Sequence, residues 1–250
     1  MDLGLMRYAE AWALQKRVVA ARKAGSIEDV LLLSEHPHVI TQGRSGKREN
    51  LLASERVLKQ KGVEFHATDR GGDITYHGPG QIVGYPLLNL GAIQRDVVWY
   101  VRMLEEAMIR ATAEFGITAE RVAGKTGIWV GESGAEEKLA AIGVHISRWV
   151  TSHGFAYNVS TDLRFFDLIV PCGIADRKAT SLEKLMQQRV EKNEVAPRIA
   201  KHLGDVFGLE MKETSRAELL EKLQEAEQPA AKTVTEKAGQ AKMLSYRSKG

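Results

Sequence analysis

The sequence predicts an α+β domain, in which a mixed and mainly antiparallel sheet, mostly a single one, is packed by helices. Helical patterns occur near both ends of the chain, whereas the strands between them are largely connected as hairpins. The regular strand–helix alternation of a doubly wound parallel sheet is missing. An apolar content of 44% over 250 residues is enough to fill a core. We find no internal repeat.

The first third of the chain predicts two helices and two strands. Leu5, Tyr8 and Trp12 follow helical spacing, and Gly25 is a plausible C-terminal stop for this first helix. The apolar run 30–33 predicts a buried strand. Residues 54–60 predict a short helix that ends at Gly62, and residues 63–68 predict a strand. A glycine-rich segment follows and leads into an apolar strand that starts at about residue 82.

After this strand, the sequence predicts a long helix followed by several strands. Asp96 is a good N-cap for a helix that runs to Phe115, with Gly116 just beyond its end. Residues 127–130 and 138–147 predict a hairpin, because a turn-rich link separates them and apolar residues alternate in the second strand. Two further strands are predicted at 153–159 and 165–170. Helical segments begin at Ser181 and cover 195–207 and 216–225, so the C-terminal part of the domain, from about residue 180, is helical.

Composition limits the functional classes. No run approaches the ~18 to 20 apolar residues of a membrane span, and the N-terminus lacks the pattern of a signal peptide. With a single cysteine, a reducing cytoplasm is the expected compartment. Residues 228–250 contain five basic side chains and one acidic one, whereas the whole chain has a net charge of +3. We therefore expect one domain over 1–227, a flexible basic tail over 228–250, and no nucleic-acid partner.

Cys172 is the only cysteine, and it stands where an apolar run breaks. Pro171 removes a backbone donor and Gly173 permits a tight turn, so the position favours an exposed thiol. A lone cysteine cannot form an internal disulfide, and if it takes part in chemistry it does so as a thiolate nucleophile. The alternative is a small, inert and buried side chain.

Residues 70–81 contain four glycines and precede a strand. Glycines at this density let a substrate approach the backbone and leave N–H groups free for binding; the alternative is a simple glycine-rich corner. Neither a dinucleotide nor a Walker A motif is present, and we discount Gly124-Lys125-Thr126 as an ATP site because the required upstream glycine is Ala119. The seven histidines show no metal-binding spacing. His77 and His153 fit a site role and a structural role equally.

Lys138 begins an otherwise apolar strand. Burial favours the neutral form of a lysine, so this side chain can serve as a base or as a cationic partner of a thiolate. The alternative is an ordinary solvated lysine at a strand edge.

Three strings, in this order and spacing, closely resemble the signature regions of the lipoyl(octanoyl) transferases: RGGDITYHGPGQIVGYPLLNL, KLAAIGVHISRWVTSHGFAYNV and IVPCGI. The resemblance continues more loosely from Tyr8 to about Phe207. It implies the fold of the biotin and lipoate protein ligases. It also implies transfer of an octanoyl group from acyl carrier protein to a specific lysine of lipoate-dependent proteins, as the first step of endogenous lipoylation.

By motif position, the resemblance makes Cys172 the acyl-thioester nucleophile and Lys138 its partner. No cofactor is implied, because a thioester donor already carries the activation and no ATP is needed. The implied acceptors are the lipoyl domains of 2-oxoacid dehydrogenase E2 subunits and the glycine cleavage H protein. The implied substrate-binding residues are Arg70, Gly71, Gly72, Asp73, Ile74, Thr75, Tyr76, His77, Ala141, Ile142, Gly143, Gly154, Phe155 and Ala156.

Arg44, Lys47 and Arg48 form a basic cluster in a predicted loop, either a docking site for an acidic carrier protein or a solvated surface. Two other functions compete with octanoyl transfer. An ATP-dependent lipoate or biotin protein ligase has the same fold but needs no cysteine, and a non-catalytic acyl-carrier-binding protein would leave Cys172 inert. A papain-like cysteine hydrolase is disfavoured because its flanking patterns are missing.

Overall fold

A computed structural model describes residues 1–170 and 178–228. The described residues form a seven-stranded sheet, a three-stranded sheet and six α-helices. The strands are β1 (Asp2–Leu5), β2 (Val30–Glu35), β3 (Val39–Gln42), β4 (Glu64–Ala67), β5 (Ile74–His77), β6 (Gln81–Leu87), β7 (Glu120–Val122), β8 (Lys125–Val130), β9 (Glu137–Ser147) and β10 (Val150–Asn158). The helices are α1 (Tyr8–Ala24), α2 (Glu55–Gln60), α3 (Val97–Ala113), α4 (Leu182–Met186), α5 (Lys192–Phe207) and α6 (Arg216–Glu227).

The large sheet has the order β1-β2-β6-β10-β9-β8-β7 and is antiparallel except for the β1–β2 pair. The side chains of neighbouring residues in a strand point to opposite faces of the sheet, so the core is divided into one part on each face. Leu33 and Ile82 pack on the face covered by α3 and α5, whereas Leu32 and Val83 pack on the face covered by α1 and α6. The predicted mixed, mainly antiparallel sheet packed by helices is therefore confirmed.

Local signals explain where several predicted elements begin and end. Asp96 caps α3, because its carboxylate accepts a hydrogen bond from Trp99 N–H at 3.0 Å. Gly25 ends α1 in the left-handed region, at φ 75°. The predicted hairpin is formed by β8 and β9, and the α1 prediction errs only at its start, because Leu5 lies in β1.

One predicted element is wrong, and one feature of the sheet was not foreseen. Residues 163–168 form a 3₁₀ helix instead of a strand, because the Asp162 carboxylate caps its first turn and the rings of Phe165 and Phe166 pack against Tyr76. The sheet was expected to be mostly a single one, and seven of the ten described strands form it, while β4, β3 and β5 form a second sheet in which β5 lies within the glycine-rich segment. A four-residue strand of this kind has too few alternating residues to be distinguished from a loop.

A buried carboxylate fixes the β7–β8 hairpin to α3. Glu105 lies inside the protein and accepts hydrogen bonds from Arg102 Nη1 at 2.7 Å, Arg121 Nε at 3.2 Å and Gly127 N–H at 3.0 Å. Breaking such an arrangement leaves buried donors and charges without a partner.

We expect Glu105→Ala to lower the free energy of unfolding by about 3 kcal/mol, as measured by urea denaturation. Glu106→Ala is the matched control on the same helix. Its carboxylate pairs with Arg110 and Arg121 at the surface and should contribute less than about 1 kcal/mol. Equal losses in the two variants would contradict the assignment.

Candidate functional site

A cavity of about 620 Å³ lies between the large sheet and the glycine-rich segment. This volume is in the range of small-molecule sites. The cavity collects most of the predicted site residues from three separate parts of the chain. Its predicted lining residues are Arg70, Gly71, Gly72, Asp73, Ile74, Thr75, His77, Lys138, Ala141, Ile142, Gly143, Gly154, Phe155 and Ala156.

The centre of the large sheet supplies one wall through two paired runs of small and apolar residues. Gly154 lies opposite Gly143, and Phe155 lies opposite Ile142. A Cβ atom on Gly143 would come within 3.0 Å of the Gly71 carbonyl oxygen, and one on Gly154 within 2.1 Å of the Gly84 carbonyl oxygen. The missing side chain of Gly143 therefore lets the glycine-rich segment lie directly on the sheet, and that of Gly154 lets its strand pack closely against β6.

Arg70 anchors that segment. Its guanidinium donates to Thr41 O at 2.6 Å, to Thr41 Oγ1 at 3.0 Å and to Gly71 O at 3.0 Å, and it is largely buried. Gly71 N–H donates to Val144 O on β9 at 2.8 Å. The arginine therefore holds the segment between the two sheets and places a positive charge in the cavity wall.

His77 takes part in a buried hydrogen-bond chain whose proton positions follow from its partners. Gln81 Nε2 donates to Asn158 Oδ1 at 2.9 Å, so Gln81 Oε1 is the acceptor that lies 2.8 Å from His77 Nδ1. His77 Nδ1 thus carries the proton, and Nε2 accepts from Thr41 Oγ1 at 3.3 Å. Asn158 Nδ2 continues the chain to Thr180 O at 2.9 Å.

Burial lowers the pKa of His77 to about 3, so the imidazole is neutral at pH 7. His153 also lines the cavity, with Nε2 2.8 Å from Asp69 Oδ1 and its backbone N–H on Gln15 Oε1 at 2.9 Å. Burial lowers the pKa of His153 as well, although the Asp69 carboxylate opposes the shift. Both histidines make hydrogen bonds within the protein and also line the cavity, and a role of either one in the reaction stays a prediction.

Tyr76 is a predicted substrate-binding residue that does not line the cavity. It alternates with Thr75 and His77 along β5 and is fully buried on the other side of the strand. Its hydroxyl lies 2.7 Å from His38 Nδ1, and its ring stacks on Phe165 at a centroid distance of 5.1 Å. Tyr76 therefore packs against the 3₁₀ helix, and its role in substrate binding stays a prediction.

Lys138 begins the apolar part of β9 and lines the cavity, as expected. Its N–H donates to Lys178 O and its carbonyl accepts from Thr180 N–H, both at 2.9 Å. Its Nζ lies 4.6 Å from the centroid of the Trp129 ring. The backbone of residues 178–180 is therefore tied to the lysine that the sequence singled out.

Cys172 lies outside the described residues, together with the rest of 171–177. The chain on either side of this stretch can be described. Val170 N–H donates to Asn50 O at 2.8 Å, and Phe166 before the stretch and Lys178 and Ala179 after it line the cavity.

Sequence reasoning missed several lining residues. Gln81 and Asn158 are polar residues within otherwise apolar strands, and this contrast is the signal that could have indicated them. Lys125 belongs to the Gly-Lys-Thr string that was set aside as a Walker motif, yet all three of its residues line the cavity, as does Trp129. Among residues 1–170 and 178–228, no cluster of His, Cys, Asp and Glu has the arrangement of a metal site. Within the same residues, no helix has the length and apolar character needed to span a membrane.

Two neighbouring buried histidines, His36 and the cavity residue His77, whose ring centroids are 6.1 Å apart, predict a pH dependence of stability. Burial lowers the pKa of His36 to about 4 and that of His77 to about 3. The unfolded chain binds these protons below pH ~6.5 but the folded protein does not, so the free energy of unfolding should fall as the pH drops from 6.5 towards 4, by about 1.4 kcal/mol per pH unit for each histidine. Urea denaturation at several pH values should show a shallower slope in His77→Asn and in His36→Asn. Slopes equal to that of the unmodified protein would contradict this account.

Comparisons with known proteins agree with this architecture. Residues 7–204 match the family described as the lipoyl protein ligase A/B catalytic domain. The octanoyltransferase of Acidobacterium capsulatum is 52% identical over 219 residues, which cover 83% of this chain and 89% of the relative. The octanoyltransferase of Solibacter usitatus is 53% identical over 210 residues, with 84% and 93% covered.

Among solved structures, a bipartite lipoate protein ligase studied with its E2 lipoyl domain, from Thermoplasma acidophilum, superimposes with a TM-score of 0.69. The match covers 90% of this chain and 89% of that one at 15% identity, and it shows the fold. The predicted lipoate-ligase fold and octanoyl transfer are thereby confirmed. The chain belongs to the lipoyl protein ligase A/B catalytic-domain family and, within it, to the octanoyltransferases, the acyltransferases of protein lipoylation.

Proposed function

We propose that this enzyme transfers the octanoyl group through a thioester on Cys172, with Lys138 as the proton-transfer partner. One observation carries the proposal. Lys138 lines a largely apolar cavity, and the residues on both sides of the segment that contains Cys172 line the same cavity. In this proposal, residues 1–227 form one catalytic domain, and the basic tail at residues 228–250 is not part of it. The reducing cytoplasm is the compartment that suits a free nucleophilic thiol.

The first half-reaction is a thioester exchange. The Cys172 thiolate attacks the carbonyl carbon of octanoyl-acyl carrier protein, the new carbon–sulfur bond forms, and the bond to the carrier's pantetheine sulfur breaks. Because one thioester replaces another, the exchange is nearly neutral in free energy. The Lys138 ammonium stabilises the thiolate before the attack and supplies a proton to the departing thiolate.

The second half-reaction forms an amide. The acceptor lysine attacks as the neutral amine, after its extra proton has gone to solvent, and Lys138, now neutral, accepts the proton that the attacking nitrogen loses as the new carbon–nitrogen bond forms. The bond to Cys172 breaks and the thiolate returns. Lipoyl domains of 2-oxoacid dehydrogenase E2 subunits and the glycine cleavage H protein are the proposed acceptors.

The cavity suits an eight-carbon chain. Ile142, Phe155 and Val83 supply apolar contacts, and the paired glycines leave the space open. Each buried methylene contributes about 0.8 kcal/mol, so shorter chains should bind more weakly by that amount per carbon. Arg70, Asp73 and His77 line one wall of the cavity. Within this wall, Arg70 and the neutral His77 are already hydrogen-bonded to protein groups.

The basic loop is attached to this wall. Arg44 N–H donates to Arg70 O at 2.9 Å, and Lys47 N–H donates to Asp73 Oδ1 at 3.3 Å. The side chains of Arg44, Lys47 and Arg48 are exposed at the same place. This geometry supports the docking of an acidic carrier protein next to the cavity, where its pantetheine arm can enter.

Intact-mass spectrometry tests the thioester. Incubation with octanoyl-acyl carrier protein in the absence of ATP should add one octanoyl group to the enzyme. Cys172→Ala should abolish the addition, and Lys138→Ala should slow it about 100-fold while circular dichroism stays unchanged. An enzyme that transfers octanoate only with ATP, and is never acylated, would favour the ligase mechanism instead.

Charge reversal tests the docking loop. Replacing Arg44, Lys47 and Arg48 by Glu should raise KM for octanoyl-acyl carrier protein about 10-fold or more at low salt and less at high salt, because the interaction is electrostatic. The small donor octanoyl-pantetheine should be little affected. Reversal of Lys212, Arg216 and Lys222, exposed residues that do not line the cavity, is the matched control. An unchanged KM for the carrier protein at low salt would remove the loop from the proposal.

A further inference from the structure

The cavity runs along the strands of the large sheet. In β6 its lining extends from Gln81 to Tyr85, and in β10 from Asn158 to His153. All residues of both strands are described, and those beyond Tyr85 and His153 do not line the cavity. Gln81 and Asn158 are register partners, so one end of the cavity lies at this pair and the other end lies beside Tyr85. Because a strand rises about 3.3 Å per residue, the path from Gln81 to Tyr85 is about 13 Å long.

The groups proposed to react belong to the Gln81 end. Asn158, the register partner of Gln81, donates through Nδ2 to Thr180 O at 2.9 Å, and Thr180 N–H donates to the Lys138 carbonyl oxygen at 2.9 Å. In the proposed function the thioester carbonyl lies beside Lys138, so the acyl chain extends from there towards Tyr85. An extended chain of eight carbons, with bonds of about 1.5 Å in a zigzag, is about 9 Å long and fits into this path.

Hydrogen bonds hold the Tyr85 side chain in one position. Its hydroxyl lies 2.6 Å from His36 Nε2, and His36 Nδ1 lies 2.7 Å from the Met6 carbonyl oxygen. Burial lowers the pKa of His36 to about 4, so the imidazole is neutral at pH 7. A carbonyl oxygen can only accept, so Nδ1 carries the single proton and Nε2 accepts from the tyrosine hydroxyl. If the Tyr85 ring moved aside, a buried acceptor would lose its partner, which is costly.

The Tyr85 end of the cavity is enclosed, whereas the side next to α3 is open. Tyr85 and Tyr8 both line the cavity, and each is 2% exposed. The centroid of the Tyr8 ring lies 5.5 Å from that of His36, the residue that holds Tyr85. In contrast, the lining residue Val97 at the start of α3 is 46% exposed. An apolar chain gains most where water is excluded, so the enclosed end suits the methyl end of the acyl chain.

We propose that the ring of Tyr85 limits the length of the acyl chain and is a specificity-determining residue of this octanoyltransferase. The direction given to the chain rests on the proposed function. Up to eight carbons, each added methylene finds apolar contacts along the path. A longer chain would have to displace a ring that His36 holds in place. Affinity should therefore rise with chain length up to eight carbons and fall beyond it.

Isothermal titration calorimetry with free fatty acids from hexanoate to dodecanoate tests this stop. In the unmodified protein, each carbon up to octanoate should strengthen binding about fourfold, and decanoate should bind more weakly than octanoate. Tyr85→Val removes the ring and should strengthen decanoate relative to octanoate about 10-fold. Tyr85→Phe keeps the ring and should keep the preference for eight carbons.

Tyr100→Leu is the matched control for the loss of a buried tyrosine. Tyr100 is fully buried in α3, its hydroxyl donates to Pro86 O at 3.2 Å, and it does not line the cavity. This variant should leave the ratio of the octanoate and decanoate affinities unchanged, even if it lowers the stability of the fold.

The ratio of these two affinities in Tyr85→Val decides the proposal, since a ratio equal to that of the unmodified protein would overturn it. Tighter binding of decanoate than of octanoate by the unmodified protein would overturn it as well. If Tyr85→Val does not fold, as judged by circular dichroism, Val83→Phe replaces it. Val83 lines the cavity between Gln81 and Tyr85, so a ring there should move the optimum below eight carbons, and an optimum that stays at octanoate would contradict the proposed path.

Binding of free acids needs neither Cys172 nor turnover. A failure of the thioester mechanism is therefore seen separately, in the intact-mass experiment with octanoyl-acyl carrier protein. If both proposals hold, Tyr85→Val should also gain a decanoyl group from decanoyl-acyl carrier protein, at a rate at least about 10-fold above that of the unmodified enzyme.

Discussion

The arrangement of the site depends on one buried chain of hydrogen bonds. It runs from Thr41 through His77, Gln81 and Asn158 to the carbonyl of Thr180. The first two residues belong to the small sheet, the next two to the large sheet, and the last precedes α4.

These hydrogen bonds form together only when each of the side chains has one particular protonation state and one particular rotamer. Loss of the amide at Asn158 would leave buried donors and acceptors without partners at both of its neighbours, and such groups are costly in a dry interior. Because Thr180 N–H bonds the Lys138 carbonyl, the same loss would also affect the backbone that carries the lysine. The glycine-rich wall of the cavity and the strand that carries Lys138 are therefore connected by hydrogen bonds, although they lie about 60 residues apart in the sequence.

The sequence predicted the parts of the fold that have local causes. The apolar alternation in β9 and the N-cap residue Asp96 of α3 are local signals, and each identifies its element without information about the neighbouring elements. The run at 165–170 was misinterpreted because a short apolar run fits a strand and a buried turn equally. The ring contact that favours the 3₁₀ helix is made with Tyr76, which lies about 90 residues earlier in the sequence. The site residues were found through motif resemblance, which does not distinguish a residue that lines the cavity from one that packs behind its wall, as Tyr76 does.

The fold itself does not select between an ATP-dependent ligase and a transferase, since lipoate protein ligases have the same architecture at 15% identity. Both reactions need an apolar cavity for the acyl chain and a cation near the reacting carbonyl. A ligase must in addition bind a nucleotide and create an activated acyl group, whereas a transferase receives the acyl group already activated as a thioester. The transferase therefore needs a nucleophile and a proton carrier whose charge changes between half-reactions. Lys138, which lines the cavity together with Phe166, Lys178 and Ala179 on either side of the stretch that contains Cys172, is the residue proposed as this proton carrier.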